Sequence, residues 1–133
     1  MNADVLDAGI ASGALPNYSF YVPNDQHNGH DSSAAIADAW LEQRFGSLIS
    51  DPRFMSDMLF VVTYDESGTS AESNAVSAVM VGPVVGAGAE STTWYDHYNL
   101  LRTIEDIFGL GTLGKPRRDG VSHLGHPALM FAR

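Results

Sequence analysis

Between Pro16 and Pro23 the side chains alternate, with Tyr18, Phe20 and Val22 on one face of an extended chain and Ser19 and Tyr21 on the other. Alternation of period two, bracketed by prolines, predicts a short strand. Residues 1–15 before it read as weakly helical. After it, "NDQHNGHDSS" is a polar, turn-rich loop that delivers the chain to Asp31 or Ser32 as a helix N-cap. The helix "AAIADAWLEQRFGSLI" follows, with Ile36, Trp40, Leu41, Phe45 and Leu48 along one stripe, and Ser50-Asp51-Pro52 ends it.

The next run, "MLFVVTY", is apolar and β-branched and predicts a buried strand. Two adjacent carboxylates, Asp65 and Glu66, close it. The small polar loop "SGTSAESN" then has nothing to pack, and mobility is expected there. "AVSAVMVGP" predicts another strand ending at Gly82-Pro83, before the Gly-rich loop "VVGAGAESTT". Asp96 or Thr93 caps a second helix, whose apolar positions Tyr98, Leu101, Ile104, Ile107 and Phe108 recur at steps of three and four. Gly109 sits where a C-terminal cap belongs. The tail 116–133 has no assignable pattern. Strand, helix, strand, strand, helix implies an α/β layer in a single domain over residues 1–133. There is no internal repeat, P-loop or dinucleotide fingerprint.

Charge narrows the partners. Seven basic and sixteen acidic residues leave a net charge of −9, which argues against a nucleic-acid backbone or an anionic membrane and is compatible with cation binding. With no cysteine, a disulfide framework and a thiolate zinc site are both excluded. No apolar run reaches the ~18 residues of a membrane span. Residues 1–15 lack the basic start and apolar middle of a signal peptide, so the compartment is not specified.

Asp65 and Glu66 fall beyond the carboxyl end of a strand, where ligands gather in α/β sheets. Adjacent carboxylates repel unless one is protonated or a cation lies between them. Oxygen donors favour Mg²⁺, Ca²⁺ or Mn²⁺ over Zn²⁺. Neighbouring strand residues point to opposite faces, so both reach one metal only if the strand has ended by Glu66. A solvated acidic turn is the alternative. In "HNGHD", His27 and His30 lie in a loop with Gly29 permitting a tight turn. Such histidines can hold a metal, donate to a phosphate oxygen or protonate a leaving group. They can equally be surface residues beside a plain N-cap, Asp31. His97 opens the second helix and reads first as a packed helix-start residue. His123 and His126, with Arg117 and Arg118, form the basic neighbourhood of the tail. No G-x-S-x-G elbow singles out a serine.

Taken in order, "LPNYSFYVPNDQHNGHDSS", "AWLEQ", "LFVVTYDES", "VMVGPVV" and "YDHYNLLRTIEDIFGLGTLG" resemble the C-terminal part of the phosphoesterase family of acid phosphatases and phospholipases C. The resemblance covers roughly residues 10–115. It implies an alkaline-phosphatase-like layered fold, a mixed β-sheet flanked by helices, of which this chain would be a portion. It implies metal-assisted phosphomonoester or phosphodiester hydrolysis, with Asp65 and Glu66 as metal ligands and His30 near the phosphate, His27 being the weaker neighbour. The cofactor is then a divalent metal ion. His97 matches a recurrent family position without an assigned role.

The chain also departs from the family. Members carry a Glu-Asn metal pair and a Ser or Thr nucleophile in an upstream half, and this chain has no Glu-Asn pair. It is therefore expected to contribute part of a metal site and part of a phosphate site and to lack the nucleophile, as a truncated product, a fragment of a longer chain completed by an upstream segment, or one chain of a split enzyme would. The rival expectation is a non-catalytic α/β fragment that binds a cation or protein and self-associates through an exposed strand edge.

Overall fold

The computed structural model describes residues 3–67 and 74–113, and the chain divides after Ser47 into two compact units. In the first, the weakly helical start is the helix α1 (Ala3–Ser12). Gly13, at φ 65°, ends it. Its N–H donates to the Ile10 carbonyl at 3.2 Å and that of Ala14 to Gly9 at 3.0 Å, the paired bonds that satisfy a helix's last carbonyls.

Helix α2 spans Ala34–Ile49, as the periodicity predicts. Its cap is Ser33, not Asp31 or Ser32. The Ser33 carbonyl accepts from Ile36 and Ala37 at 3.0 Å each, and its hydroxyl accepts from the Ile36 N–H at 3.3 Å. Three consecutive capping residues offer similar chemistry, and the one abutting the helix takes the role.

Residues 18–22 are not a strand, and the described residues include no third strand with which they could pair. Tyr21 packs inward, stacked on Trp40 at 6.0 Å and edge-on to Phe45 at 5.9 Å, while Phe20 and Val22 are 67% and 65% exposed. Ile36, expected on the buried stripe of α2, is exposed, and Ala37 is buried in its place. Leu6, Ala37 and Phe45 are the buried apolar side chains among the described residues of this unit. The Arg44 guanidinium lies 5.3 Å over the Phe45 ring and pairs with Asp7, whose hydrogen bond raises the Arg44 pKa.

The second unit holds β1 (Phe60–Thr63), β2 (Ala78–Val81) and α3 (His97–Ile107). The strands pair antiparallel in the register Phe60 to Val81 and Thr63 to Ala78. Beyond β2 the backbones come so close that a Cβ on Gly82 would lie 2.6 Å from the Met58 carbonyl oxygen. Among the described residues of this unit, Met55 is the buried apolar side chain.

Helix α3 is capped by Asp96, the first of the two residues anticipated. Its C-terminus closes through Gly109 at φ 61°, with Leu110 N–H donating to Glu105 at 2.8 Å. Its buried positions are polar: Asn99, Thr103 and Glu105 are at most 5% exposed, whereas Tyr98 is 56% exposed. These three side chains all have polar partners. Thr103 donates back to the Asn99 carbonyl at 2.9 Å, and Glu105 accepts from the Leu113 N–H at 2.7 Å and pairs with Arg102 at 3.6 Å. Among the described residues, three helices and an open two-stranded sheet make an α/β arrangement. Within the described residues the sheet is an antiparallel pair, not the mixed sheet that the resemblance implies. No helix among them is long and apolar enough to cross a membrane.

Candidate functional site

Strand β1 ends at Thr63, so Asp65 and Glu66 lie in a bend past the ladder and are free of the alternation that would send them to opposite faces. Both are exposed, and neither carboxylate has a hydrogen bond or ion pair among the described residues.

The backbone around them is held from three directions. Before the pair, the Thr63 hydroxyl donates to the Ser77 carbonyl at 3.2 Å, tying the end of β1 to the approach of β2. After it, the Ser67 N–H and hydroxyl both donate to Asn74 Oδ1, at 2.8 and 3.1 Å. Asn74 adopts φ 42°, a left-handed conformation that asparagine tolerates better than most residues. At the pair itself, His97 Nε2 lies 2.8 Å from the Asp65 carbonyl oxygen. That oxygen can only accept, so Nε2 carries the proton and donates. Most of the expected loop "SGTSAESN" lies outside the described residues, as does the tail with Arg117, Arg118, His123 and His126.

His97 is in turn placed by the cap of its own helix. The Asp96 carboxylate accepts from the N–H groups of Tyr98 and Asn99, at 2.9 and 3.1 Å, while Asn99 Oδ1 accepts from the Asp96 N–H at 2.7 Å. This reciprocal box fixes the first turn of α3. The Asp96-x-x-Asn99 spacing was the readable signal. The contact with Asp65 had none, because it joins residues 32 apart.

His27 and His30 belong to the first unit and differ sharply. The His27 ring lies flat on Trp40, with centroids 5.2 Å apart and 11° between planes. It is half-buried and acts as an aromatic packing surface. The His30 ring is exposed and has no ring partner or hydrogen bond among the described residues, while its backbone N–H donates to Asn28 Oδ1 at 2.8 Å. Gly29 at φ 90° permits the turn between them. Of the two, only His30 has its ring exposed to solvent.

The donors of the acidic pair suit a hard divalent cation in kind. They do not surround one: the described residues contain no group of three or more side chains placed to hold a metal ion. What the pair can do is offer oxygen donors and negative charge from one hydrogen-bonded bend.

Comparison with known proteins gives a consistent pattern. The phosphoesterase family matches residues 1–111. A probable acid phosphatase of Kluyveromyces lactis is 32% identical over 122 residues, covering 90% of this chain and 28% of that protein. An acid phosphatase of Aspergillus fumigatus is 29% identical over 80% of this chain and 24% of its own length. A phosphatidylinositol-3-phosphatase of Mycobacterium tuberculosis is 37% identical over 75% of this chain and 32% of its own length. The chain thus spans about a quarter to a third of the curated relatives that it matches. No solved structure matches it significantly.

Proposed function

The chain belongs to the phosphoesterase family, and on that basis we propose that it is the C-terminal portion of a hydrolase acting on phosphate esters, phosphomonoesters or phosphodiesters. Asp65 and Glu66 hold a divalent metal ion, Mg²⁺, Ca²⁺ or Mn²⁺ in preference to Zn²⁺, together with donors from the rest of the site. The metal supplies charge neutralisation at the phosphoryl oxygens and activation of the nucleophile. His30 donates a ring N–H to a phosphoryl oxygen or to the leaving group, and His27 supports its loop through Trp40. The nucleophile and the remaining ligands come from an upstream segment, which also extends the two strands into an alkaline-phosphatase-like layered sheet.

The observation that carries this reading is the release of Asp65 and Glu66, consecutive in sequence and both exposed, from the β1 ladder after Thr63. The repulsion of such a pair is relieved by a cation. The test is turnover of a chromogenic phosphate ester with Mg²⁺ or Mn²⁺, by the chain alone and after addition of the upstream portion of a matching acid phosphatase. Metal-dependent turnover that appears on addition, and is lost in Asp65→Ala, supports the reading. Complementation indifferent to Asp65 and Glu66 overturns it.

A second reading, a non-catalytic fragment that self-associates, draws on the exposure of Val79 (56%) in β2, of Trp94 (77%) and of Leu113 (73%), and on a sheet that has two strands among the described residues. Such a sheet is marginal alone. Sedimentation separates the two: concentration-dependent dimers that persist when the upstream portion is added favour it.

A further inference from the structure

We infer that His97 is a positioning residue for the acidic pair: its Nε2–H, donated to the Asp65 carbonyl, fixes the direction in which Asp65 and Glu66 leave β1. The hold itself stands on geometry. What the held pair does rests on the phosphoesterase reading above.

The 2.8 Å contact joins the end of a strand to the first residue of a helix 32 positions later. Such a bond acts on the backbone, which the other two anchors reach only at Thr63 and Ser67. Without it, the peptide units of Asp65 and Glu66 would be tied at their ends alone. A carboxylate ligand whose backbone swings loses the convergence that metal binding needs, since the cost of ordering it must then come out of the binding energy. Supporting hydrogen bonds to ligand-bearing groups typically contribute about ten- to a hundredfold in metal affinity.

The geometry also says which end of the ring matters. Nε2 is committed to the carbonyl, so in the neutral ring Nδ1 is the bare nitrogen. The Asp96–Asn99 box places the residue without using its ring. The positioning role therefore needs a donor at the reach of Nε2 and nothing from Nδ1. Glutamine, whose side-chain amide nitrogen extends about as far, should substitute, and alanine should not.

The test uses the full chain, with His97→Ala and His97→Gln, and three readouts. In mildly alkaline buffer, ring nitrogen shifts of the wild type should show the Nε2–H tautomer. Amide relaxation at Asp65, Glu66 and Ser67 should show increased motion in His97→Ala and near-wild-type order in His97→Gln, with helix content unchanged in both. Mn²⁺ affinity should fall about ten- to a hundredfold in His97→Ala and recover in His97→Gln. An Nδ1–H tautomer, unchanged order in His97→Ala, or failure of glutamine to restore order overturns the inference. If His97→Ala does not fold, the wild-type tautomer and the glutamine variant decide it. A wild-type chain that takes up no Mn²⁺ counts against the functional reading alone, because the tautomer and relaxation readouts still decide the role of His97.

Discussion

The His27 imidazole lies parallel to the Trp40 indole at 5.2 Å, which makes one of the two loop histidines part of the packing of α2 and leaves His30 as the one presented outward. Aromatic pairs of this kind contribute about 0.5–1.5 kcal/mol beyond buried area. In a Trp94→Phe background, His27→Ala should therefore lower stability by about 1 kcal/mol and shift Trp40 fluorescence. His30→Ala should leave stability within about 0.5 kcal/mol of the parent. Chemical denaturation followed by emission checks both.

The polar interior of α3 sets a second expectation. Glu105 is 4% exposed, accepts the Leu113 N–H and pairs with Arg102, so removing its carboxylate strands a backbone donor and weakens the partnering of a guanidinium. Glu105→Ala should cost about 3 kcal/mol. Glu105→Gln, which keeps an acceptor for Leu113, should cost less. Urea unfolding of the three proteins gives the order.

Gly82 allows the chain to pass the Met58 carbonyl, where a Cβ would stand 2.6 Å from the oxygen. Because the obstructing atom is backbone, Gly82→Ala must displace β2 or residue 58. A loss of about 1 kcal/mol or more is expected, with amide shift changes concentrated in residues 58–63 and 78–82.

Asp51 supplies a pH marker outside the carboxylate bend. Hydrogen bonds from the Arg53 side chain and backbone hold its pKa below the ordinary carboxylate value. A depressed folded pKa contributes stability above the unfolded value, lost as pH falls through the folded one. A side-chain NMR titration should show Asp51 protonating below the usual Asp range. Arg53→Met should move it back up, and added salt should weaken the purely coulombic part.

Much of the fold was legible because it is locally determined. The α2 period marked Ala34–Ile49, the apolar run marked β1, and Asp96 and Gly109 marked the two ends of α3. The misreadings needed information from elsewhere in the chain. Alternation at residues 18–22 describes what a strand would look like but does not supply a neighbour to pair with. Glu105 looks like a surface charge until Leu113, eight residues on, turns its N–H toward it. The acidic pair was visible, and so was the condition it had to meet, an end to the strand before Glu66. The hold that His97 exerts was not, since nothing local links a helix start to a strand end 32 residues earlier.

The central claim is that Asp65 and Glu66 form one cation-binding element, and paramagnetic broadening by Mn²⁺ tests it most directly. Substoichiometric Mn²⁺ added to the labelled chain should broaden amides of residues 64–67 before any others in the second unit. The effect should vanish in the double variant Asp65→Asn, Glu66→Gln. Broadening that begins elsewhere, or survives in the double variant, would contradict the account.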